Sequence, residues 1–559
     1  MKIFLFLSFL LLTMPISAQE SYSKLTAQAS NIVKSQDSLN YGQASKQFQE
    51  AFAKYPDSIK DTDFYYASIL YSELKELDKA FRYLTPLVAK ETDDEGFPGW
   101  TFVLDSYAQD DYKNLLTDPR WTELTKSASI AKNQFFEKLD AQQTEFFDTK
   151  AEFKMHGSAE ELYQHLKNFN PYKQKHQQNY SISFKVNDTL ITSYLVHLPA
   201  NYNPKKKYSA LIFLHGAVRF TNFAEYQIAQ QVLGYGNKFL TKHGDLNDQI
   251  LIFPSADKKF NWMTADAGFY IVPEIVKQLK SALNIDDNKV FVTGHSNGAT
   301  GSFSYAIKQP TQFAGFYGFN TFPKVFTGGT FINNILNRSF LNFSTDQDYY
   351  YPPNANDTLN KVMATIKADY KDYRYNGFPH WFPDFEASEP AFKILFADLK
   401  SRERNPFPKR LEWEFDDDKY GAVDWLSEIR LDTLQTRKPW HQNLNFEIKK
   451  RLKYDDKDVL VEYEVDEKAF DFPRKSGKII AEYQDNTFKI QTSCISSFTI
   501  LISPEMVNLK KKVKIYLNGK IYKKVKIDAE KAFIIQNYQE NKDRAQIWVN
   551  EVEVKVLYN

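Results

Sequence analysis

Cysteine is nearly absent from this chain, which has only Cys494 among its 559 residues. A single cysteine excludes an internal disulfide, so the folded protein must be stable through its apolar cores alone. The chain also lacks an excess of charge of one sign, because it has 71 basic and 70 acidic residues and a formal net charge of +1. This balance argues against nucleic acid or another polyanion as the main partner. The 43% of hydrophobic residues can support three globular units.

Motifs for metal ions and phosphate groups are missing as well. The sequence has no H-E-x-x-H, no paired cysteines and no G-x-x-x-x-G-K, so we expect neither a metal centre nor a phosphate-binding loop.

Residues 1–18 have one basic residue, a short apolar stretch and a small residue, Ala18, before Gln19. This pattern predicts a signal peptide that is cleaved after Ala18. Because the apolar stretch is too short for a membrane helix, we expect an exported protein, periplasmic or secreted from a bacterium, without stable membrane insertion.

The segment 19–175 has a helical apolar pattern. Ala44 and Ala80 recur in similar settings 36 residues apart, a spacing that is similar to that of tetratricopeptide helix pairs. We predict a helical, tetratricopeptide-like domain over this segment, with the basic, glutamine-rich stretch 171–179 as a linker. Such helices either brace the next domain or bind a protein partner, and the sequence leaves both roles open.

The segment 176–402 predicts an α/β domain. Two alternating runs, Ser181–Val186 and Leu190–Leu198, indicate an antiparallel hairpin at its start. Short apolar strands then alternate with helical stretches, which favours a mainly parallel, doubly wound sheet. The strands are expected at Leu211–Leu214, Ile250–Phe253, Val290–Val292 and Phe340–Phe343.

Beyond this segment, residues 403–559 change to a period of two with many β-forming residues. Asn518-Gly519 is a strong signal for a type I′ hairpin turn. We therefore predict a third, mostly antiparallel and sandwich-like β domain over residues 403–559. The lysines between Lys510 and Lys526 alternate with apolar residues and are expected on the solvent face, where binding of acidic glycans stays open.

Ser296 lies in the most informative motif of the chain, Gly294-His295-Ser296-Asn297-Gly298. A run of β-forming residues precedes this motif and a stretch compatible with a helix follows it. This strand, sharp turn and helix are typical of a nucleophilic serine in a strained backbone conformation. The two flanking glycines are needed because a side chain at either position would collide with the neighbouring strand or helix.

The partners of such a serine are a base and an acid that follow it in the chain. Only two of the nine histidines follow His295, and they are His380 and His441. His380 lies in a loop rich in glycine and proline and is the expected base, whereas His441 lies beyond the predicted α/β domain. Asp346 and Asp348 are the first carboxylates after Ser296 and come directly after a predicted strand, where α/β sheets carry their sites. We favour Asp348 as the acid and keep Asp346 as the alternative.

Backbone donors for a developing oxyanion are predicted at a second turn. The strand at Leu211–Leu214 runs into the turn His215-Gly216-Ala217. The N–H of Ala217 or of Gly216 is expected to bind the oxyanion together with the N–H of Asn297. The ring of His215 is expected to brace this turn. Two indoles near the motifs, Trp262 and Trp381, are candidates for an aromatic acyl pocket, although ordinary packing is as reasonable for each.

Several of these stretches carry a resemblance to a known family. LPANYNPKKKYSALIFLHGA, NIDDNKVFVTGHSNGA, STDQDYYYP and NGFPHW resemble the secreted feruloyl esterase, polyhydroxybutyrate depolymerase and prolyl-oligopeptidase-like esterase branch of the α/β-hydrolases. The resemblance implies Ser296 as nucleophile, Asp348 as acid and His380 as base, with no cofactor. The chain departs from the pattern of this branch at two places. From the nucleophile onwards it reads Ser296-Asn297-Gly298-Ala299 where S-x-G-G is usual, and the strand before the acid ends in Ser344-Thr345 where His-Gly is common.

The expected function is that of an exported serine hydrolase that cleaves carboxylic esters through an acyl-enzyme intermediate. Whether the ester is linked to carbohydrate or belongs to a polymer stays open. One alternative is a prolyl-oligopeptidase-like serine peptidase, and another is a catalytically inactive scaffold with this fold. Because every residue type that the mechanism needs lies between His215 and His380, we expect the flanking segments to supply no catalytic atoms and residues 179–402 to be active alone.

Overall fold

The computed structural model describes residues 14–150, 157–234, 236–263 and 268–556. It divides the chain into two compact units, Met1–Ala141 and Gln142–Asn559. Most of the predicted signal peptide lies outside the described residues, and only residues 14–18 are seen, at the start of the first helix. None of the helices in the described ranges is both long enough and apolar enough to cross a membrane.

Helices form the first unit. Ala44 and Ala80, which suggested a repeat, are both completely buried, as expected where helices approach closely. The first helix packs against the second, and the third packs against the fourth. The helices are α1 (Met14–Lys34), α2 (Tyr41–Lys54), α3 (Asp61–Glu73), α4 (Leu77–Val88), α5 (Thr101–Leu104), α6 (Ala108–Asp111) and α7 (Pro119–Phe147), the last of which ends in the second unit.

The stretch 171–179, predicted as a linker, is instead packed within the second unit. Lys175 is buried, and its ammonium group donates to the carbonyl oxygens of Phe146 at 2.6 Å and of Glu145 and Asp148 at 3.3 Å. These contacts satisfy carbonyl groups at and just beyond the end of α7 that have no partner within the helix. Burial lowers the pKa of Lys175. The linker prediction was wrong because a basic, polar composition does not reveal a lysine that caps a helix.

An eight-stranded sheet lies at the centre of the second unit, in the order β1-β2-β4-β3-β5-β6-β7-β8. β2 runs antiparallel to β1 and β4, and the remaining neighbours are parallel, so the predicted hairpin and parallel sheet are both confirmed. The strands are β1 (Asn179–Lys185), β2 (Ile191–His197), β3 (Tyr208–Leu214), β4 (Ile250–Pro254), β5 (Ile285–Gly294), β6 (Gly315–Phe319), β7 (Ser339–Gln347) and β8 (Tyr370–Pro379).

Helices connect and cover these strands. The inner strands are apolar on both faces, as is usual for parallel strands that are covered by helices on both sides. The helices of the second unit are α8 (Ala159–Lys167), α9 (Ala229–Leu233), α10 (Lys238–Leu246), α11 (Ile271–Ala282), α12 (Asn297–Lys308), α13 (Pro353–Thr365), α14 (Glu389–Ser401) and α15 (Lys531–Asn541).

The C-terminal part is mostly antiparallel β structure, as predicted. Its strands form a five-stranded sheet in the order β17-β16-β14-β13-β9, a three-stranded sheet in the order β10-β15-β18 and the hairpin β11-β12. Asn518 and Gly519 both have positive φ, as the predicted type I′ turn requires. The strands are β9 (Arg410–Phe415), β10 (Leu426–Leu431), β11 (Glu447–Tyr454), β12 (Leu460–Lys468), β13 (Gly477–Gln484), β14 (Thr487–Ser493), β15 (Ile495–Ile502), β16 (Val513–Leu517), β17 (Lys520–Val525) and β18 (Asn550–Lys555).

This β-rich part belongs to the same compact unit as the central sheet, so the predicted boundary between residues 402 and 403 falls inside that unit. One hydrophobic core contains Val292 and Phe340 of the central sheet together with Trp413 and Trp425 of the C-terminal part. The two compact units meet between residues 141 and 142, whereas the sequence predicts a boundary at residue 175. A change in strand period marked the new sheets correctly, but it could not show that they share a core with the preceding segment.

Buried ion pairs also join the central sheet region to the C-terminal part. Lys308 pairs with Asp416 at 3.1 Å, with both side chains fully buried. Arg338 forms two hydrogen bonds with Asp424, at 2.5 and 3.1 Å. Removing one partner of such a pair leaves an uncompensated charge in the protein interior. Residues 179–402 on their own would therefore contain buried cations without carboxylates, so the expectation that this segment stands alone is not supported.

The pair between Arg338 and Asp424 provides a direct test of this dependence. We expect Asp424→Ala to lower the free energy of unfolding by about 3–5 kcal/mol, because the buried guanidinium loses its carboxylate. Urea unfolding measures this change. Asp188→Ala is the matched control, because Asp188 pairs with Lys185 on the surface, and it should leave stability unchanged. Equal effects of the two substitutions would contradict the interpretation.

Candidate active site

Ser296 lies in a sharp turn between β5 and α12. Its backbone has φ 57° and ψ −122°, a conformation that residues other than glycine rarely adopt. Such a conformation costs about 1–3 kcal/mol and persists only where the surroundings enforce it. The N–H of Ser296 donates to the carbonyl of Phe319 at 3.1 Å, at the end of β6. The turn therefore presents the serine side chain at the carboxyl edge of the sheet, as the motif predicted.

The glycines on either side of this turn are required by close backbone contacts. A Cβ atom on Gly298 would lie 1.7 Å from the carbonyl oxygen of Leu214, and one on Gly294 would lie 2.6 Å from it. Real Cβ atoms do not approach other atoms so closely. The start of α12 thus lies directly against the end of β3, which explains why the motif needs glycine at both positions.

Asp348 and His380 follow two neighbouring parallel strands and meet at the same edge of the sheet. Oδ1 of Asp348 lies 2.9 Å from Nδ1 of His380, and both side chains are buried. Asp346 has a different contact, because its Oδ1 accepts a hydrogen bond from the N–H of Gly377 at 2.8 Å. Of the two aspartates that the sequence offered, the structure brings Asp348 to the imidazole, and Asp346 holds the end of β8.

The main chain at His380 is held by two further donors. Its carbonyl oxygen lies 2.8 Å from Nε2 of His295 and 2.7 Å from Nδ2 of Asn320. Sequence reasoning missed Asn320. The only signal was its place directly after the apolar run that forms β6, a position where α/β sheets carry functional side chains.

The two imidazoles of this contact have different environments. Burial, and then the nearby His380, lowers the pKa of His295 to about 3. His295 is therefore neutral at ordinary pH, and its proton is on Nε2 because a carbonyl can only accept. Nε2 of His380 is buried and has no hydrogen-bond partner among the described residues. This nitrogen is free to accept a proton from a hydroxyl group.

His215 braces the second turn, as expected. Its Nδ1 lies 2.7 Å from the carbonyl oxygen of Gly216, and its Nε2 accepts the N–H of Ala256 at 3.0 Å. A ring that donates through one nitrogen and accepts through the other is neutral, and burial lowers the pKa of His215 accordingly. His215 therefore has the contacts of a structural residue.

The same turn lies against the serine. A Cβ atom on Gly216 would be 3.2 Å from Cβ of Ser296, and Ala217 has a positive φ of 54°. The side chain of Asn297 accepts the N–H of Val218 at 3.2 Å and so links the two turns. The predicted oxyanion donors, at Gly216 or Ala217 and at Asn297, thus belong to two turns that adjoin at Ser296. Their role remains a prediction.

The two tryptophans considered for an acyl pocket have different positions. Trp262 is completely buried and packs edge-on against His215, with ring centroids 4.9 Å apart. It is a core residue in this structure, as the packing alternative expects, and its place in an aromatic acyl pocket stays a prediction. Trp381 is 48% exposed and lies edge-on to His380, with centroids 5.2 Å apart. Trp381 can therefore contact a bound molecule.

His441, the second histidine that follows His295 in the chain, lies in the C-terminal part. His441 is buried in the C-terminal part, with Nε2 2.9 Å from Glu414 and Nδ1 2.9 Å from Ser493. It therefore belongs to a polar network between strands of that part. Within the described ranges, no group of three or more histidine, cysteine, aspartate or glutamate side chains is arranged to hold a metal ion.

Comparisons with known proteins agree with the hydrolase interpretation for part of the chain. Residues 192–320 match the model of a family described as "Putative esterase". This stretch contains the His215 turn and Ser296. The strand order, the sharp turn and this match together define an α/β-hydrolase-like region. No curated protein matches the chain at a significant level.

Solved structures resemble about two fifths of the chain. A thermostable esterase is 21% identical, with 41% of this chain and 64% of that chain covered and a TM-score of 0.33. The fluorophosphonate-binding serine hydrolase F of Staphylococcus aureus is 13% identical, with 39% and 98% covered and a TM-score of 0.30. Esterase 2 of Thermogutta terrifontis is 12% identical, with 40% and 94% covered and a TM-score of 0.33.

The low pKa of His295 predicts acid sensitivity. An unfolded histidine has a pKa near 6.5, so below that pH the unfolded chain binds a proton that the folded chain excludes until about pH 3. Stability should therefore fall as the pH drops from 6.5 towards 3, by up to about 1.4 kcal/mol per pH unit for this one group. Urea unfolding at several pH values measures this slope.

We expect His295→Gln to make the loss of stability with falling pH less steep. The amide can still donate a hydrogen bond but does not titrate. His176→Gln is the matched control, because His176 is exposed, and it should keep the slope of the unsubstituted protein. An unchanged slope in His295→Gln would show that His295 does not carry this acid sensitivity.

Proposed function

We propose that this protein is an exported serine hydrolase that cleaves carboxylic esters. The observation that carries the proposal is the state of His380: its Nδ1 is bonded to the buried Asp348, and its Nε2 is buried without a partner in the described part of the chain. This base lies at the same sheet edge as the strained Ser296. A base that is oriented by a carboxylate and unpaired on its other nitrogen suits proton transfer from a serine hydroxyl.

The reaction begins when Oγ of Ser296 attacks the ester carbonyl and His380 takes the hydroxyl proton at Nε2. Asp348 holds the proton on Nδ1, keeps the ring oriented and stabilises the imidazolium that forms. The backbone N–H of Asn297, with that of Ala217 or Gly216, stabilises the tetrahedral oxyanion. The imidazolium then donates its proton to the leaving alcohol oxygen, which gives the acyl-enzyme.

Water completes the cycle by attacking the acyl-enzyme, with His380 again acting as the base. The products are a carboxylic acid and the free serine, so no cofactor takes part. The match of residues 192–320 to an esterase family supports an ester over a peptide as substrate. Export is part of the proposal because residues 1–18 have the pattern of a signal peptide.

Ser296→Ala should abolish both ester turnover and labelling by a fluorophosphonate. Because the members of a triad act as a unit, Ser296→Ala and His380→Ala should each lower kcat by about 10⁴-fold or more, and the double variant should lose little further activity. Intact-protein mass spectrometry and an aryl ester assay measure the two effects. A folded wild-type protein that is neither labelled nor active on any ester would favour an inactive scaffold.

The two aspartates should differ strongly in their effect on rate. Asp348→Asn should lower kcat by about 10⁴-fold, since an amide at this position favours the wrong tautomer of the imidazole. Asp346→Asn is the matched control and should retain most of the activity, because its carboxylate bonds to the Gly377 N–H and does not bond to the base. The reverse order would assign the acid to Asp346.

A further inference from the structure

Half-exposed aromatic rings surround the imidazole of His380. The ring of Tyr350 lies 4.3 Å from it between centroids, and that of Trp381 lies 5.2 Å from it. Tyr350 is 47% exposed and Trp381 is 48% exposed, so both present apolar faces to solvent next to a buried histidine. Leaving such faces in water is unfavourable, and a molecule bound against them would remove that cost.

A second segment of the chain extends this surface. The hairpin β11-β12 belongs to neither of the larger C-terminal sheets, and β11 ends at Tyr454. The ring of Tyr454 packs edge-on against Tyr349 at 5.5 Å, and Tyr349 lies 4.3 Å from Tyr350. Tyr454, Tyr349 and Tyr350 therefore form a continuous row of rings, here called the tyrosine row, which ends at His380.

Arg451 fixes the hairpin to the loop that carries Asp348. Its Nη1 donates to the carbonyl oxygen of Tyr350 at 3.2 Å, and its Nη2 pairs with Glu467 across the hairpin at 2.7 Å. The same loop is held from within, because the N–H of Tyr350 donates to Oδ1 of Asp348 at 2.9 Å. The tyrosine row is thus assembled from two segments that are bonded to each other beside the base.

The side of the substrate that meets this row follows from the direction of proton transfer. His380 must deliver its proton to the oxygen of the leaving alcohol, so the alcohol part of the ester lies beside the imidazole. The rings that flank the imidazole are consequently the groups that the alcohol part contacts. A methyl or ethyl group would cover little of a row of three rings, whereas a flat ring can stack on it.

We propose that the tyrosine row is a subsite for the alcohol part of the substrate and that it selects alcohols that contain a ring. This inference rests on the proposed ester hydrolysis at Ser296. The faces of a sugar ring and of an aryl ring share the chemistry that stacks on tyrosine, and the experiment separates the two. The C-terminal part of the chain thereby contributes to substrate choice through Tyr454 without supplying a catalytic atom.

The test uses the full-length protein and two phosphonates that share one phosphonyl group. One carries fluoride as its leaving group, and the other carries p-nitrophenoxide. Both phosphonylate Ser296 by displacing that group, but only the second places a ring on the alcohol side. Because 47% of the Tyr454 side chain is exposed, Tyr454→Ala should fold normally. It should slow labelling by the p-nitrophenyl reagent about 3–10-fold, which is the loss expected when one stacked ring is removed. Labelling by the fluoride reagent should keep its wild-type rate.

Two matched variants make the result specific. Tyr454→Phe keeps the ring and should behave as wild type. Tyr463→Ala removes an exposed tyrosine from β12 of the same hairpin, outside the row, and should also behave as wild type. Equal slowing of both reagents by Tyr454→Ala, or of neither, would overturn the subsite. Failure of both reagents to label wild-type Ser296 would instead contradict the proposed function itself, and failure of the p-nitrophenyl reagent alone would overturn the subsite.

Esters of known alcohols then identify the ring. The acetates of methanol, phenol and glucose share one acyl group and differ only in the alcohol. A KM that Tyr454→Ala raises for the glucose ester, with the methyl ester unchanged, indicates a sugar ring, and a rise for the phenyl ester indicates an aryl ring. A KM that changes equally for all three esters would contradict a subsite for the alcohol part.

Discussion

The close approach of α12 to the end of β3 is the constraint on which the site depends. A Cβ atom on Gly298 would lie 1.7 Å from the Leu214 carbonyl oxygen, so the turn between β5 and α12 excludes every side chain at this position. Ser296 takes the strained position in that turn, and His295 is directed towards the carbonyl of His380. The turn that this close approach requires thus holds Ser296 and, through His295, contacts the main chain at His380.

Three histidines share this small region and differ only in their surroundings. His215 and His295 bond to backbone groups and are kept neutral by burial. His380 alone faces a carboxylate, that of Asp348. Burial therefore opposes a protonated imidazole at His215 and His295, whereas the partner of the third ring is a carboxylate.

Local patterns predicted the parts of the site that depend on short stretches of chain. Ser296 and its glycines follow from one strand and one turn, and His380 follows from the scarcity of histidine after them. Asn320 was missed because its role depends on a carbonyl 60 residues away. The place of Tyr454 beside Tyr349, and the core shared by Trp413 and Val292, likewise come from tertiary packing that no periodicity encodes. Sequence alone could not reveal these contacts.

The ion pairs that span the second unit affect how the chain folds during its synthesis. Asp287, at the start of β5, pairs with Arg544, 257 positions later. A ribosome that has completed the entire eight-stranded sheet has made Lys280, which lies 3.4 Å from Asp287, but has not yet made Arg544, which bonds to it at 2.9 Å. The nascent chain consequently lacks a finished interior until its final strand emerges, and closure of these long loops comes last. The second unit therefore stays incompletely folded for nearly the whole of its synthesis.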